Sequence, residues 1–151
     1  MIDPALDSIN KLTEQNYPIV YFETLQSVHI VELFKNLSLA SSKAIYHWQP
    51  ETGMYRMDAQ HIMIPRTVEP EDLLKTIHSM AHFGVFVLSN FSEYIQDRKI
   101  VDLLKNISSM HSVNPKMVIL LGSKMDISGD LRPSVAHIRH TLRASGEKKV
   151  G

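Results

Sequence analysis

The stretch Phe83-Gly84-Val85-Phe86-Val87-Leu88-Ser89-Asn90-Phe91 decides the fold. Six of its nine residues are apolar, and the run begins beside a glycine and ends at polar Ser89 and Asn90. An apolar run without polar alternation is typical of a strand covered on both faces, as in the middle of a parallel sheet. Residues 18–24 and 116–123 have the same character, and each run ends in a small polar residue. We therefore predict three buried strands of a parallel sheet.

Amphipathic segments separate these runs. Apolar residues recur at helical spacing within four segments, which predicts a helix in each: residues 3–15, 27–37, 69–80 and 98–110. Ser27 and Asp97 are the predicted N-caps of the second and fourth helices, and either Thr67 or Glu69 begins the third.

Two further strands have weaker patterns. Residues 43–48 alternate in the manner of an edge strand, whose single tryptophan, Trp48, would cover the sheet edge. Residues 135–139 predict a fifth strand, with a helix over 134–143 as the alternative. Between these strands, residues 49–68 lack a clear period, and a short hairpin of 55–57 against 61–63 is possible. So long a connection is either functional or mobile.

Strands that alternate with helices indicate right-handed crossovers. We therefore predict an α/β fold: a three-layer sandwich with a mainly parallel five-stranded sheet and helices on both faces. Ligands of such folds bind beyond the carboxyl ends of the strands. Those ends carry these residues: Thr24, Trp48, Ser89, Asn90, Ser123 and Lys124.

Length and composition limit the function. The 151 residues suit a single domain, predicted over 1–143, with a basic flexible tail over 144–151. Sixteen basic residues balance sixteen acidic ones, so we expect neither a nucleic acid nor a membrane as partner. Cysteine is absent, which excludes disulfides and thiolate chemistry. With no secretory signal or long apolar segment, we expect a cytoplasmic protein.

The order of these segments resembles a known domain. It is similar to the degenerate, P-loop-like N-terminal domain of the cyanobacterial and plastid-type AAA ATPases. The resemblance covers residues 5–140 and is carried by these stretches: 18–24 (PIVYFET), 44–48 (AIYHW), 85–94 (VFVLSNFSEY), 116–123 (KMVILLGS) and 126–131 (DISGDL).

The resemblance implies a P-loop NTPase-like core that lacks the P-loop and precedes an active ATPase module. Where the family typically has an aspartate after the central strand, this chain has Asn90. Asparagine offers a carbonyl oxygen but not the negative charge that holds magnesium near phosphates. We therefore expect no ATP hydrolysis by this chain.

The residues themselves favour the same conclusion. A phosphate-binding loop needs glycines and a lysine, and residues 24–29 contain neither. The helix start at Ser27 keeps weak anion binding open. His78, His82 and His111 could approach one another, but no HExxH motif accompanies them, so we assign no metal. Since a Gly-x-Ser-x-Gly elbow is also absent, we assign neither catalytic residues nor a cofactor.

We predict a non-catalytic interaction or regulatory module that is not an enzyme. Its partner would be a protein, either an AAA ATPase or a second copy of the chain. The candidate binding residues lie at the strand ends: Thr24, Gln26, Ser27, Trp48, Asn90 and Ser123. The alternative is a regulator that binds a nucleotide at the same edge without hydrolysing it.

Overall fold

The apolar run that begins at Val85 forms the middle strand of a seven-stranded sheet. This is seen in a computed structural model, which describes residues 4–140 and, from Leu6 onward, their side chains except that of His61. The helices and strands are α1 (Pro4–Thr13), β1 (Ile19–Glu23), α2 (Ser27–Ala40), β2 (Ile45–Gln49), β3 (Gly53–Arg56), β4 (Ala59–Ile64), α3 (Pro70–Ser79), β5 (Val85–Ser89), α4 (Arg98–Ser109), β6 (Met117–Gly122) and β7 (Val135–Arg139).

The strand order is β4-β3-β2-β5-β6-β1-β7. The pairs among β2, β5, β6, β1 and β7 are parallel, which confirms the predicted parallel core. The predicted hairpin exists but is longer than expected, and its strands β3 and β4 join the sheet in antiparallel pairs. The sheet therefore has seven strands rather than the predicted five.

The prediction of an edge strand over 43–48 is wrong. β2 lies between β3 and β5, because the hairpin pairs with it from Tyr46 to Gln49. Trp48 consequently does not cover an edge but is completely buried. The two edge strands of the sheet are β4 and β7. The pairing of β7 with β1 confirms a strand over 135–139 and excludes the helical alternative.

Alternate side chains of the strands in the parallel core enter two separate cores. Val20, Phe22 and Val87 pack with α1 and α2, whereas Tyr21 and Phe86 pack with α3 and α4. The strands β1, β5 and β6 are apolar on both sides because both sides are covered. This arrangement is the predicted P-loop NTPase-like three-layer sandwich.

The helix starts follow the sequence signals unevenly. The side chain of Asp97 accepts a hydrogen bond from the backbone N–H of Lys99 (2.9 Å), which confirms the predicted cap of α4. The N-cap of α3 is Glu69, followed by Pro70. The prediction for α2 is wrong by one residue, because its N-cap is Gln26 rather than Ser27 and has no side-chain cap hydrogen bond.

Gly84 lies where a side chain would meet two aromatic rings. An added Cβ would lie 2.9 Å from Cζ of Phe86 and 3.1 Å from Cε1 of Tyr46, whose rings are stacked with centroids 4.9 Å apart. We expect Gly84→Ala to lower the free energy of unfolding by about 1 kcal/mol, since the stack must shift. Urea denaturation measures this change. Gly129→Ala is the matched control, since nothing lies within 4 Å of its added Cβ, and an equal loss there would contradict the explanation.

None of the described helices is long and apolar enough to cross a bilayer. The predicted tail over 144–151, and the last residues of the predicted domain over 141–143, lie outside the described residues.

Candidate functional site

The carboxyl ends of the five parallel strands meet at one edge of the sheet. Depressions lie on both faces of this edge. The carboxyl-edge cleft is on the α2 side. The Glu23 depression is on the side of α3 and α4 and is lined by Tyr21, Glu23, Ser92, Gln96, Ser123, Lys124, Met125, Asp126 and His137. Their different linings give them different chemistry.

The carboxyl-edge cleft has a volume of about 270 Å³. The start of α2 forms one wall, and the ends of β2 and β5 with part of β3 form the rest. It is lined by Ser27, Val28, Val31, Glu32, His47, Gln49, Tyr55, Ser89 and Asn90. This is the place where the start of a helix, with its unpaired amides, faces the ends of buried strands.

His47 of this cleft has both ring nitrogens in hydrogen bonds and a strongly lowered pKa. Its Nδ1 lies 2.7 Å from the hydroxyl oxygen of Tyr55, and its Nε2 lies 2.8 Å from Oγ of Ser89. The neutral ring has one donor and one acceptor, and a hydroxyl can match either. Burial lowers the pKa of His47 to about 4, so the ring is neutral near pH 7. The network therefore closes the floor of the cleft with satisfied, uncharged groups.

The cleft offers no positive charge to a phosphate. Among its described lining residues there is no lysine or arginine, and Glu32 contributes a carboxylate. The pKa of Tyr55 is raised by burial and, secondarily, by the charge of Glu32. The connection from β1 to α2 is only Thr24-Leu25-Gln26, and the amide of Gln26 donates to Oγ1 of Thr24 (2.9 Å). Such a connection is too short to wrap around a phosphate.

The Glu23 depression holds a charged network. Oε1 of Glu23 accepts hydrogen bonds from Nε2 of His137 (2.7 Å) and Nε of Arg139 (3.2 Å). These contacts, chiefly the one from His137, lower the pKa of Glu23. The ring of His137 also stacks on Tyr21, with centroids 4.7 Å apart. The network joins β1 to β7 at the surface.

The structure brings only some of the predicted site residues together. Ser27 and Asn90 both line the carboxyl-edge cleft, and Asn90 has a left-handed backbone with φ of 55°. Thr24 is buried in the connection before α2, where Gln26 is half-buried. Ser123 lies in the Glu23 depression instead.

Trp48 has no exposed surface. Its Nε1 donates to the carbonyl oxygen of Thr67 (2.6 Å), and its ring contacts Phe91 and Tyr94 on the α3 and α4 side. The side chain is therefore not available to a partner.

Four residues of this edge were missed by the sequence analysis. His47 and Tyr55 meet only because β3 pairs beside β2, which the sequence did not predict. Leu25 and Val28 are 84% and 81% exposed, although Val28 lies in the segment 27–37 that the apolar spacing predicts as an amphipathic helix. We call these two residues the Leu25–Val28 ridge. The available signal was Leu25 itself, an apolar residue in a connection too short to bury it.

At the amino ends of the parallel strands, opposite the carboxyl edge, the side chain of Lys116 is buried. Nζ of Lys116 donates to the carbonyl oxygen of Met80 (2.8 Å) and to Oδ1 of Asn114 (2.6 Å). Burial lowers the pKa of this amine. Among the side chains that the structure describes, which do not include that of His61, no three histidines, aspartates or glutamates group closely enough to hold a metal. His78, His82 and His111 therefore do not form the site considered from the sequence.

Comparison with known proteins identifies relatives of this chain. A family model described as the N-terminal domain of SpoVK-like AAA ATPases matches residues 5–140. The chain is similar to the AAA domain-containing protein ycf46 of Trieres chinensis, with 23% identity over 143 residues. The match covers 93% of this chain but 29% of that relative, so the chain spans less than a third of the longer protein.

Proposed function

Because the chain belongs to the family of SpoVK-like AAA ATPase N-terminal domains, we propose that it is a non-catalytic module that docks on an AAA ATPase. The family resemblance inferred from the sequence is confirmed by this match. That relation suggests an ATPase as the partner, but the docking role is our proposal. The predicted cytoplasmic location stays a prediction.

The observation that carries the proposal is the composition of the carboxyl edge. In a nucleotide-handling protein this edge would present a glycine-rich loop and a lysine to phosphates. Here the short connection instead exposes Leu25, and the first turn of α2 exposes Val28. Two large apolar side chains exposed three positions apart on the same edge support a contact surface there. We therefore assign the docking contact to the edge that binds phosphate in a nucleotide-handling protein.

The surroundings of the ridge suggest what the partner presents. Val28 also lines the carboxyl-edge cleft, together with the carboxylate of Glu32 and the amide of Asn90. Interfaces commonly combine a small apolar centre with a polar rim. The partner surface that fits is therefore an apolar pocket with a basic side chain at its rim, which would pair with Glu32.

Replacing the ridge should weaken docking. We expect the double variant Leu25→Asp/Val28→Asp to weaken binding to a separately purified ATPase domain of a longer family member by at least about tenfold, since buried apolar anchors dominate interface energies. Isothermal titration calorimetry measures the affinity. The matched control is Leu39→Asp, which places the same charge on a residue of α2 that is 61% exposed but lies near the other end of the helix.

Three outcomes would contradict the proposal. Unchanged affinity of the double variant would remove the ridge from the interface, and equal weakening by Leu39→Asp would show a general charge effect. Sedimentation velocity supplies the third. If the native chain self-associates through the ridge and ignores the ATPase domain, the partner is a second copy.

The nucleotide-binding alternative has less support. The start of α2 at Ser27 faces Asn90 across the cleft, but Glu32 lies on the same wall. A carboxylate beside a triphosphate is repulsive, and no lysine or arginine of the described lining offsets it. A thermal-shift series with ATP and GTP decides, since a ligand at a hundred times its Kd stabilises a protein by about 2.7 kcal/mol. A clear upward shift would favour the alternative.

A further inference from the structure

In the part of the chain that the structure describes, the strand β7 has a sheet partner on one side only. It pairs with β1 in a regular parallel ladder from Val135 to Arg139. Just beyond, the amide of His140 donates to the carbonyl oxygen of Glu23 (2.7 Å). Because backbone groups alternate in direction along a strand, those of His137 and Arg139 point away from β1. We call this outer side of the strand the β7 edge.

The β7 edge is suited to pair with a further strand. Outward N–H and C=O groups are matched by the backbone of another strand, which is the way many extended peptides bind. The other edge strand, β4, is less regular, since its register with β3 shifts between Tyr55 and Arg56. A β-bulge of this kind protects an edge from further pairing. Of the two edges, β7 is therefore the better template.

An apolar cleft flanks the β7 edge on the side of α1. It has a volume of about 390 Å³, and its apolar and aromatic lining is Leu12, Tyr17, Phe22 and Ile138. We call it the α1–β7 cleft. An added strand would place every second side chain on this side, next to Ile138 at the mouth of the cleft. Apolar side chains would gain the most free energy there, because they would be removed from water.

The other side of the β7 edge is basic. The stretch 131–140 has no acidic residue, and its basic and titratable residues are Arg132, His137, Arg139 and His140. His137 and Arg139 both contact Oε1 of Glu23, on the side of α3 and α4. The side chain of Arg139 is 68% exposed, and a guanidinium group has four further N–H donors. Asp126 on the same side follows β6, two strands further in. Acidic side chains of an added strand would thus match this side.

These observations together define a partner. We propose that the β7 edge binds an extended segment of another protein as an additional strand, with apolar side chains toward α1 and acidic ones toward α3 and α4. A second copy of β7 does not match, since it would bring further basic side chains and no acidic one. The site shares no residue with the Leu25–Val28 ridge, so this binding is separate from the docking proposed above.

A labelled peptide of about seven residues, in which valine and glutamate alternate, is a suitable probe. Fluorescence polarisation with the full chain should show saturable binding. Two control peptides should bind at least about tenfold more weakly. One has lysine in place of every glutamate and meets like charge. The other has the same composition with all valines grouped together, so it cannot present one apolar side.

Methylated forms of the valine–glutamate peptide test the backbone contact itself. In an added strand, every second amide faces β7 and the others face solvent. Methylation of the facing set removes the hydrogen-bond donors and should abolish binding, whereas methylation of the other set should change the affinity by less than about twofold. The two peptides carry the same modification, so each is the control for the other.

Two variants of one residue make the matching test on the protein. His137→Pro removes an outward N–H group and places a ring on the β7 edge, whereas His137→Ala removes the same imidazole and keeps the N–H. We expect only the proline variant to lose binding, with circular dichroism to check that both are folded. Arg139→Gln should weaken binding of the valine–glutamate peptide by about threefold.

Three results would overturn the proposal: no binding of the valine–glutamate peptide to the full chain, equal binding of the two methylated peptides, or native affinity of a folded His137→Pro variant. If that variant does not fold, the methylated peptides decide on the native chain. None of these assays contains an ATPase domain, so their failure would leave the docking proposal standing.

Discussion

Trp48→Ala should lower the free energy of unfolding by about 3–5 kcal/mol, the usual cost of truncating a fully buried large aromatic residue. Trp48 is completely buried and contacts Phe91 and Tyr94 edge-to-face. It also holds the hairpin in place, since Thr67, which accepts its Nε1–H, in turn accepts the amide of Met54. A loss of this size removes much of the stability of an ordinary domain.

Trp48→Phe separates packing from hydrogen bonding. Phenylalanine fills most of the space but leaves the carbonyl of Thr67 unpaired, so we expect a loss of about 1–2 kcal/mol. Trp48 is the sole tryptophan of the sequence, so neither variant has tryptophan fluorescence to report unfolding. Urea denaturation followed by circular dichroism therefore measures the free energy of unfolding of both variants. The Phe variant should still bind the ATPase domain normally. Weakened docking by a folded Phe variant would return Trp48 to the interface and contradict its structural role.

The stability of the protein should fall between pH 7 and pH 5 because of His47. Its pKa is about 4 in the folded chain and 6.5 when solvated, so the unfolded chain binds more protons in this interval. The contribution is complete above the unfolded pKa and is lost as the pH falls toward the folded one. From about pH 7 to about pH 5, the expected loss is about 2 kcal/mol.

A comparison with His47→Gln isolates this term. Glutamine does not titrate, so the variant should be less dependent on pH over that interval by the same amount, whatever its absolute stability. Carboxylates such as Glu23, whose pKa is lowered, act at lower pH and are common to both proteins. Urea midpoints across the interval provide the measurement, with exposed His82→Gln as the control. Parallel pH profiles of native and His47→Gln proteins would show that His47 protonates without cost.

The sequence predicted the parallel core because its strands are buried on both faces. Continuous apolar runs such as 85–88 and 117–121 are typical of strands covered on both faces, and the helices between the strands have a clear hydrophobic periodicity. The hairpin carries a weaker signal, since Met54 and Met57 are buried but lie among polar residues. Its place beside β2 depends on tertiary pairing, so the error about the sheet edge followed directly.

The candidate site was less predictable than the fold. Ser27 and Asn90 follow from the rule that ligand edges lie at the ends of parallel strands. The contact of His47 with Ser89 depends on register, because His47 pairs with Val87 and reaches the residue two positions further along β5. Register between distant strands is not encoded in either strand alone. The outward turn of Val28 likewise depends on where α2 begins.

The first strand of the chain lies between two of the last. β1 is flanked by β6 and β7, so its backbone groups find no sheet partner until the final part of the domain has been made. During synthesis the backbone groups on both sides of β1 stay unpaired until β6 and β7 have been made, and unpaired apolar strands are prone to aggregate. Folding of this domain is thus a late, non-local event rather than a gradual one, and a chaperone that shields residues 19–23 would raise its yield.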